Sequence, residues 1–219
     1  MIYLKKSMPA PECLQKESGK VSGNYRCGDV VPRLGQDFHQ KCYLCGSKGV
    51  TLNVEHLRPH KGDPELKFAW ENLFLACGHC NSIKGSKYEQ ILDCSQVTDI
   101  EQRLHFKFNP FPGETVEITA QEEDVATLET QALLTEVFTG STELQKLEAN
   151  NLTAMLNKEL VNLLLLLQDY FDPSCATDDK ERLRMKIRAQ LSDRSSFTAF
   201  KRAFVRQNKR MRTEFAQEL

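Results

Sequence analysis

Cys42-Tyr43-Leu44-Cys45 and Cys77-Gly78-His79-Cys80 are the two stretches from which the fold of this chain can be read. Two Cys-x-x-Cys pairs can present four thiolates to one ion, and a sulfur tetrahedron suits Zn²⁺ at about 2.3 Å per bond. With all four positions taken by protein, such a zinc is structural. It supplies what so short a stretch lacks, a staple that holds strands and a helix together without a large core. Residues 50–54 and 73–76 have strand character, and a short helix is expected after Cys80. Cys13, Cys27, Cys94 and Cys175 stand outside the pairs and read as small apolar residues.

Between the pairs lies Val54-Glu55-His56-Leu57-Arg58-Pro59-His60, then Trp70-Glu71-Asn72-Leu73, and directly after the last cysteine comes Asn81-Ser82-Ile83-Lys84-Gly85. A neutral imidazole can take a proton from water near pH 7, which suits His56 to general-base work. The Glu55 carboxylate and the Asn81 amide oxygen are each hard oxygen donors, of the kind that Mg²⁺ or Mn²⁺ prefers. Arg58, Lys84 and Lys87 are plausible phosphate contacts by charge. His60 is expected to touch phosphate or to help hold the metal. His79, inside the second cysteine pair, is expected to face solvent.

In this order the residues resemble the HNH, or ββα-metal, endonuclease family, whose pattern is Cys-x-x-Cys, acid-His-x-x-Pro, Asn-Leu and a second Cys-x-x-Cys followed by His or Asn. The resemblance spans residues 42–85 and implies a metal-dependent endonuclease. It makes His56 the general base, Glu55 and Asn81 the ligands of the catalytic ion, and Asn72 the residue that bonds across the loop to orient the base. Two positions depart from the commonest pattern, Glu55 for Asp and Asn81 for His, and both keep an oxygen donor. The strings Glu55–Pro59, Trp70–Leu73 and Cys80–Gly85, with the later Phe197–Arg202, are similar to the PtuB-type nucleases of Septu and retron anti-phage defence systems. That narrower resemblance implies a nuclease effector working with an ATPase partner, PtuA-like.

Outward from this module the chain changes character. Residues 1–41 carry four prolines or glycines before Gly28 alone, and the stretch Asp29 to Phe38 is expected to form one short helix capped by Asp29. Residues 104–108 alternate apolar and polar side chains, with Thr115–Thr119 as a second short strand after a turn at Pro110, Pro112 and Gly113. From residue 124 the period is helical. Gly140 ends one helix. Thr142 with Gln145 opens a long one striped by Leu144, Leu147, Leu152, Met155, Leu156, Leu160, Leu163 and Leu167, a stripe expected to be core. Asp178 with Glu181 is expected to cap the next, and Ser195 or Ser196 to open a last one reaching Met211. The expected class is α+β, with an N-terminal extension (1–41), the zinc-stapled nuclease module with its following strands (42–119) and a helical C-terminal bundle (120–219).

The net charge of −1 conceals a strong division. Residues 1–88 hold 13 basic side chains against 8 acidic, residues 89–179 hold 4 against 18, and residues 180–212 hold 12 against 2. Two basic segments flanking an acidic one suggest a phosphate-binding surface and a docking surface. The apolar run 163–167 is far too short to span a bilayer, so no membrane is expected. Eight cysteines without an apolar leader suggest a reducing compartment, with the cytoplasm as the expected location. Nucleic acid, DNA first, is the expected substrate. Two alternatives stay open: a non-catalytic zinc module that binds nucleic acid or protein, and a stand-alone restriction or structure-specific HNH nuclease.

Overall fold

The computed structural model describes residues 1–111 and 113–219. The turn expected at Pro110, Pro112 and Gly113 therefore lies partly outside the described residues, at Pro112. In the N-terminal extension, helix α1 (Glu12–Ser18) follows Pro11, and α2 (Val30–Asp37) follows Asp29. The first of these was not expected from its glycine- and proline-rich surroundings. Asp29 flanks α2 but makes no capping bond. Cys13 and Cys27 are joined as a disulfide, so these two are not the isolated apolar residues that the sequence suggested.

The module itself is a hairpin followed by a helix. Strand β1 (Leu52–His56) leads through helix α3 (Pro64–Phe68) and a single 3₁₀ turn to β2 (Leu73–Cys77), and helix α4 (Gly78–Lys84) follows at once. The strands are antiparallel, with Leu52 opposite Cys77 and His56 opposite Leu73. At about 3.4 Å per residue the two ends of this hairpin lie roughly 13 Å apart. One end carries a cysteine and the other carries the acid–histidine pair. Leu73 and Phe74 on β2, with Trp70 and Phe38, are buried in the core, and each such side chain contributes about 1.5–3 kcal/mol by leaving water.

Helix α5 (Ile100–Arg103) runs into β3 (Leu104–Lys107), which pairs antiparallel with β4 (Glu117–Ala120). Strand β3 matches the alternation seen in the sequence, and β4 starts two residues later than the strand expected from Thr115. Helix α6 (Val125–Thr139) stops at Gly140, whose φ of 69° suits a residue without a Cβ. Helix α7 (Glu143–Phe171) opens with the expected capping box of Thr142 and Gln145. Its stripe is core from Leu152 to Leu167, but Leu144 and Leu147 are exposed.

Helix α8 (Thr177–Leu191) has no capping side chain. Asp178 and Asp179 sit inside its first turn instead, where their charge meets the positive end of the helix. Helix α9 (Thr198–Gln207) starts later than Ser195 or Ser196. Phe197 is held in the left-handed region at φ 51° by its N–H, which donates to the Gly46 carbonyl at 2.9 Å. Asn208 then ends α9 and caps α10 (Lys209–Glu214), bonding Met211 N at 3.1 Å, so the expected single last helix is two.

The main core runs from the N-terminal residues through the hairpin, β3, β4 and α6 to the first half of α7 and to α9. A second, smaller cluster gathers Leu163, Leu167, Ile187, Leu191 and Phe215. Part of the basic C-terminal segment is paired within the protein, while most of its cations are exposed. Lys201 is buried against Glu159, Arg202 and Arg206 both pair with Glu101, Arg184 pairs with Glu214, and Arg188 with Glu218. No helix is long and apolar enough to cross a membrane among the described residues.

Candidate metal centre and active site

At one end of the hairpin the four paired cysteines converge. Cys77 closes β2 and Cys80 sits in the first turn of α4, while Cys42 and Cys45 come from a tight turn closed by Gly46 N to Cys42 O at 2.9 Å. Tyr43 N donates to Leu75 O at 2.9 Å and so lays that turn beside β2. All four side chains are buried and their sulfurs lie within 4.8 Å of one another. A zinc–sulfur tetrahedron has edges of about 3.8 Å, and the Cys45 and Cys77 sulfurs are 4.0 Å apart. The donor set fits a structural zinc. Burial and the neighbouring thiols push Cys80 well above the ordinary thiol range, and a bound cation reverses that preference by stabilising the thiolates.

At the other end the acid–histidine pair faces a cavity of about 400 Å³, lined by Glu55, His56, His60 and Asn81 together with Tyr25 and Arg26. The hairpin supplies Glu55 and His56, and the second turn of α4 supplies Asn81. The lining of one cavity thus includes the three residues singled out for chemistry. Among the described residues the Asn81 side chain makes no hydrogen bond, and its amide is free to serve the cavity.

His56 is held from two sides. Its Nε2 lies 3.0 Å from the carbonyl of Lys67 on α3, and its ring meets the Tyr25 ring edge-on at 4.6 Å. A carbonyl only accepts, so Nε2 carries the proton and Nδ1 keeps the lone pair. Burial lowers the His56 pKa below its usual value, which keeps the ring neutral near pH 7. The His60 ring lies 4.7 Å from it and its Nδ1 accepts from Gly62 N at 3.1 Å.

Asn72 lies behind His56 and does not line the cavity. Its Oδ1 accepts from Arg58 N at 2.7 Å, and its Nδ2 donates to Arg58 O and Leu66 O at 2.9 Å each. One side chain thereby ties the loop leaving β1 to the helix whose carbonyl holds His56. A buried amide with its oxygen and both N–H groups satisfied fixes loop geometry more tightly than packing does.

Glu55 is deeply placed. The Tyr43 hydroxyl donates to its Oε1, and Lys84 Nζ approaches Oε2 at 3.3 Å while also donating to His56 O at 2.8 Å. Burial raises the Glu55 pKa, with Lys84 and the Tyr43 hydrogen bond opposing it. Lys84 is therefore a buried counter-ion and not the phosphate contact expected from its charge. Of the other expected contacts, Arg58 donates to the Glu89 carbonyl, and Lys87, still largely exposed, pairs with Glu136 at 2.6 Å. His79 does not face solvent. Its ring nitrogens reach Glu148 at 2.9 Å and Val137 O at 2.8 Å, joining α4 to α7 and α6.

Tyr25, Arg26, Tyr43 and Lys67 were not visible as site residues in the sequence. Tyr43 lies inside the first cysteine pair, where spacing draws attention only to sulfur, and the others carry no motif. No curated protein matches this chain. Residues 42–87 match the family model described as HNH endonuclease. The match takes in both cysteine pairs, the acid–histidine pair, Asn72 and Asn81, and over that stretch the chain carries an HNH domain.

Proposed function

We propose that this protein hydrolyses nucleic-acid phosphodiester bonds, with DNA as its substrate, and leaves 5′-phosphate and 3′-hydroxyl ends. The observation that supports this most is the convergence of Glu55, His56 and Asn81 on one cavity. His56 removes the proton of the attacking water through Nδ1. Lys67 and Tyr25 hold the ring still, and Asn72 keeps the Lys67 carbonyl in place. Glu55 and Asn81 hold the divalent ion, Mg²⁺ or Mn²⁺, which when bound supplies charge neutralisation at the phosphate and leaving oxygen. Glu55 would hold the ion with a carboxylate that Tyr43 and Lys84 already bond.

The test is divalent-metal-dependent nicking of plasmid. His56→Ala should lower cleavage by about 10²–10⁴-fold, the usual worth of a positioned base, with zinc content and melting temperature retained. Wild-type cleavage by that variant refutes the assignment. A non-catalytic zinc module would show no metal-dependent nicking in either protein.

We further propose that the nuclease is an anti-phage effector paired with an ATPase. The resemblance of its motif strings to PtuB-type nucleases supports this, as does the acidic stretch 89–179 with Leu144 and Leu147 exposed on α7. Co-expression with an ATPase from the same operon should give a complex that stays together on a sizing column at moderate salt; separate elution counts against the pairing.

A further inference from the structure

The turn at residues 23–28 overhangs the His56 cavity, and several independent attachments fix it there. A Cβ at Gly23 would come within 2.0 Å of the Glu17 carbonyl oxygen and 2.9 Å of the Phe68 ring, so the turn lies hard against α1 and α3. Lys67 Nζ donates to Gly23 O at 3.1 Å, Asn24 N donates to Glu17 at 2.9 Å, and Arg26 N donates to Asn24 Oδ1 at 2.9 Å. The Cys13–Cys27 bond ties the far side of the turn to α1. Lys67 thus holds both the base, through its carbonyl, and the turn, through its ammonium.

What this turn presents is Tyr25, packed on the His56 ring, and Arg26, lying beside the Tyr25 ring with Nη2 3.3 Å from its hydroxyl. Among the described residues that line the cavity, Arg26 is the cation without a carboxylate partner, since Lys61 pairs with Glu89 at 2.6 Å. The guanidinium is exposed, and its planar fork matches two oxygens of a phosphate.

Building on the nuclease reading above, we propose that Arg26 is a phosphate-binding residue for the nucleic-acid backbone, delivered to the cavity by a turn outside the HNH domain. A hydrolase acting on a polyanion needs a positive contact beside its base. Lys84 is buried, Arg58 and Lys87 are not among the residues that line the cavity, and Arg26 fills that place. Its contact orients the strand and carries no base information.

The test measures binding of a short fluorescein-labelled DNA duplex to His56→Ala protein across a salt series, so that no probe is cut. Adding Arg26→Ala should weaken binding roughly tenfold, the loss of one charge-assisted bond, and reduce the salt slope by about one. Arg26→Lys should recover part of the affinity without the bidentate geometry. Lys16→Ala, a control on the exposed face of α1, should change little. Unchanged affinity and slope for Arg26→Ala, with zinc content and melting temperature as in the parent, overturn the proposal. Failure of the nuclease reading is separate, because it is read from plasmid nicking by His56→Ala alone, while the duplex titration reports on Arg26 in either case.

Discussion

His56 and Lys67 stand 3.0 Å apart through an imidazole nitrogen and a backbone carbonyl, and that contact decides which nitrogen of the ring carries its proton. Nitrogen-15 spectra at pH 7 should show Nε2 as the protonated type and Nδ1 as the unprotonated type. Because burial lowers the His56 pKa, the ring should still be neutral at a pH where a free histidine is half charged. The reverse pattern, with Nδ1 protonated, would remove Nδ1 as the base.

Lys84 and Glu55 form a buried ion pair at 3.3 Å, with neither side chain more than a few per cent exposed. Removing one partner leaves the other charged without compensation, which typically costs about 3–5 kcal/mol. Lys84→Met should therefore lower the urea midpoint of unfolding sharply. A phosphate-contact role predicts something different, weaker DNA binding with unchanged stability, and equilibrium unfolding beside a binding titration separates the two.

Zinc release should unfold the module before the helices. The four cysteines close one end of the hairpin, and α4, which carries Asn81, starts between them. Chelation should abolish nicking and expose the buried Trp70 to water, seen as a red shift of its fluorescence, while helical circular dichroism from α6 and α7 largely persists. One equivalent of zinc per chain is expected from metal analysis. A metal-free protein with native Trp70 emission would contradict the staple.

Lys6 offers a pH-dependent signature of the N-terminal extension. Its ammonium donates to the carbonyls of Trp70 and Leu73 and lies over the Trp70 ring at 4.3 Å, and burial lowers its pKa to about 8. The unfolded chain binds this proton up to about pH 10, so between about 8 and 10 the unfolded state holds more protons than the folded one. Stability should rise with pH in that window by an amount on the order of 2–3 kcal/mol, at about 1.4 kcal/mol per unit of difference. In Lys6→Met that component of the rise should vanish. An identical pH slope in both proteins would show that Lys6 is not buried in solution.

Much of the site was legible because its chemistry demands particular atoms at particular spacings. Cysteine pairs announce a tetrahedral ion whatever surrounds them, and an acid followed by histidine, then asparagines on either side of the second pair, left few alternatives for the middle of the chain. Periodicity likewise marked α6 and α7 and the strands β3 and β4, since local burial patterns repeat locally. Spacing gives no sign of which polar groups a fold takes inside. Lys84 looked like a surface cation and is a buried counter-ion; His79 looked solvated and is a seam between helices.

The sequence by itself determined which four cysteines pair into a cluster fit for zinc, the hairpin-and-helix, and the acid, histidine and amide placed beside one cavity, because those depend on residue type and short range. Only the tertiary structure decided that Cys13 reaches Cys27, that Lys67 serves both His56 and Gly23, and that Tyr25 and Arg26 overhang the cavity. These contacts join segments 11 to 44 residues apart. Such long-range closures are set by how α1 and α3 pack, a property of the assembled core that no short stretch of the chain encodes.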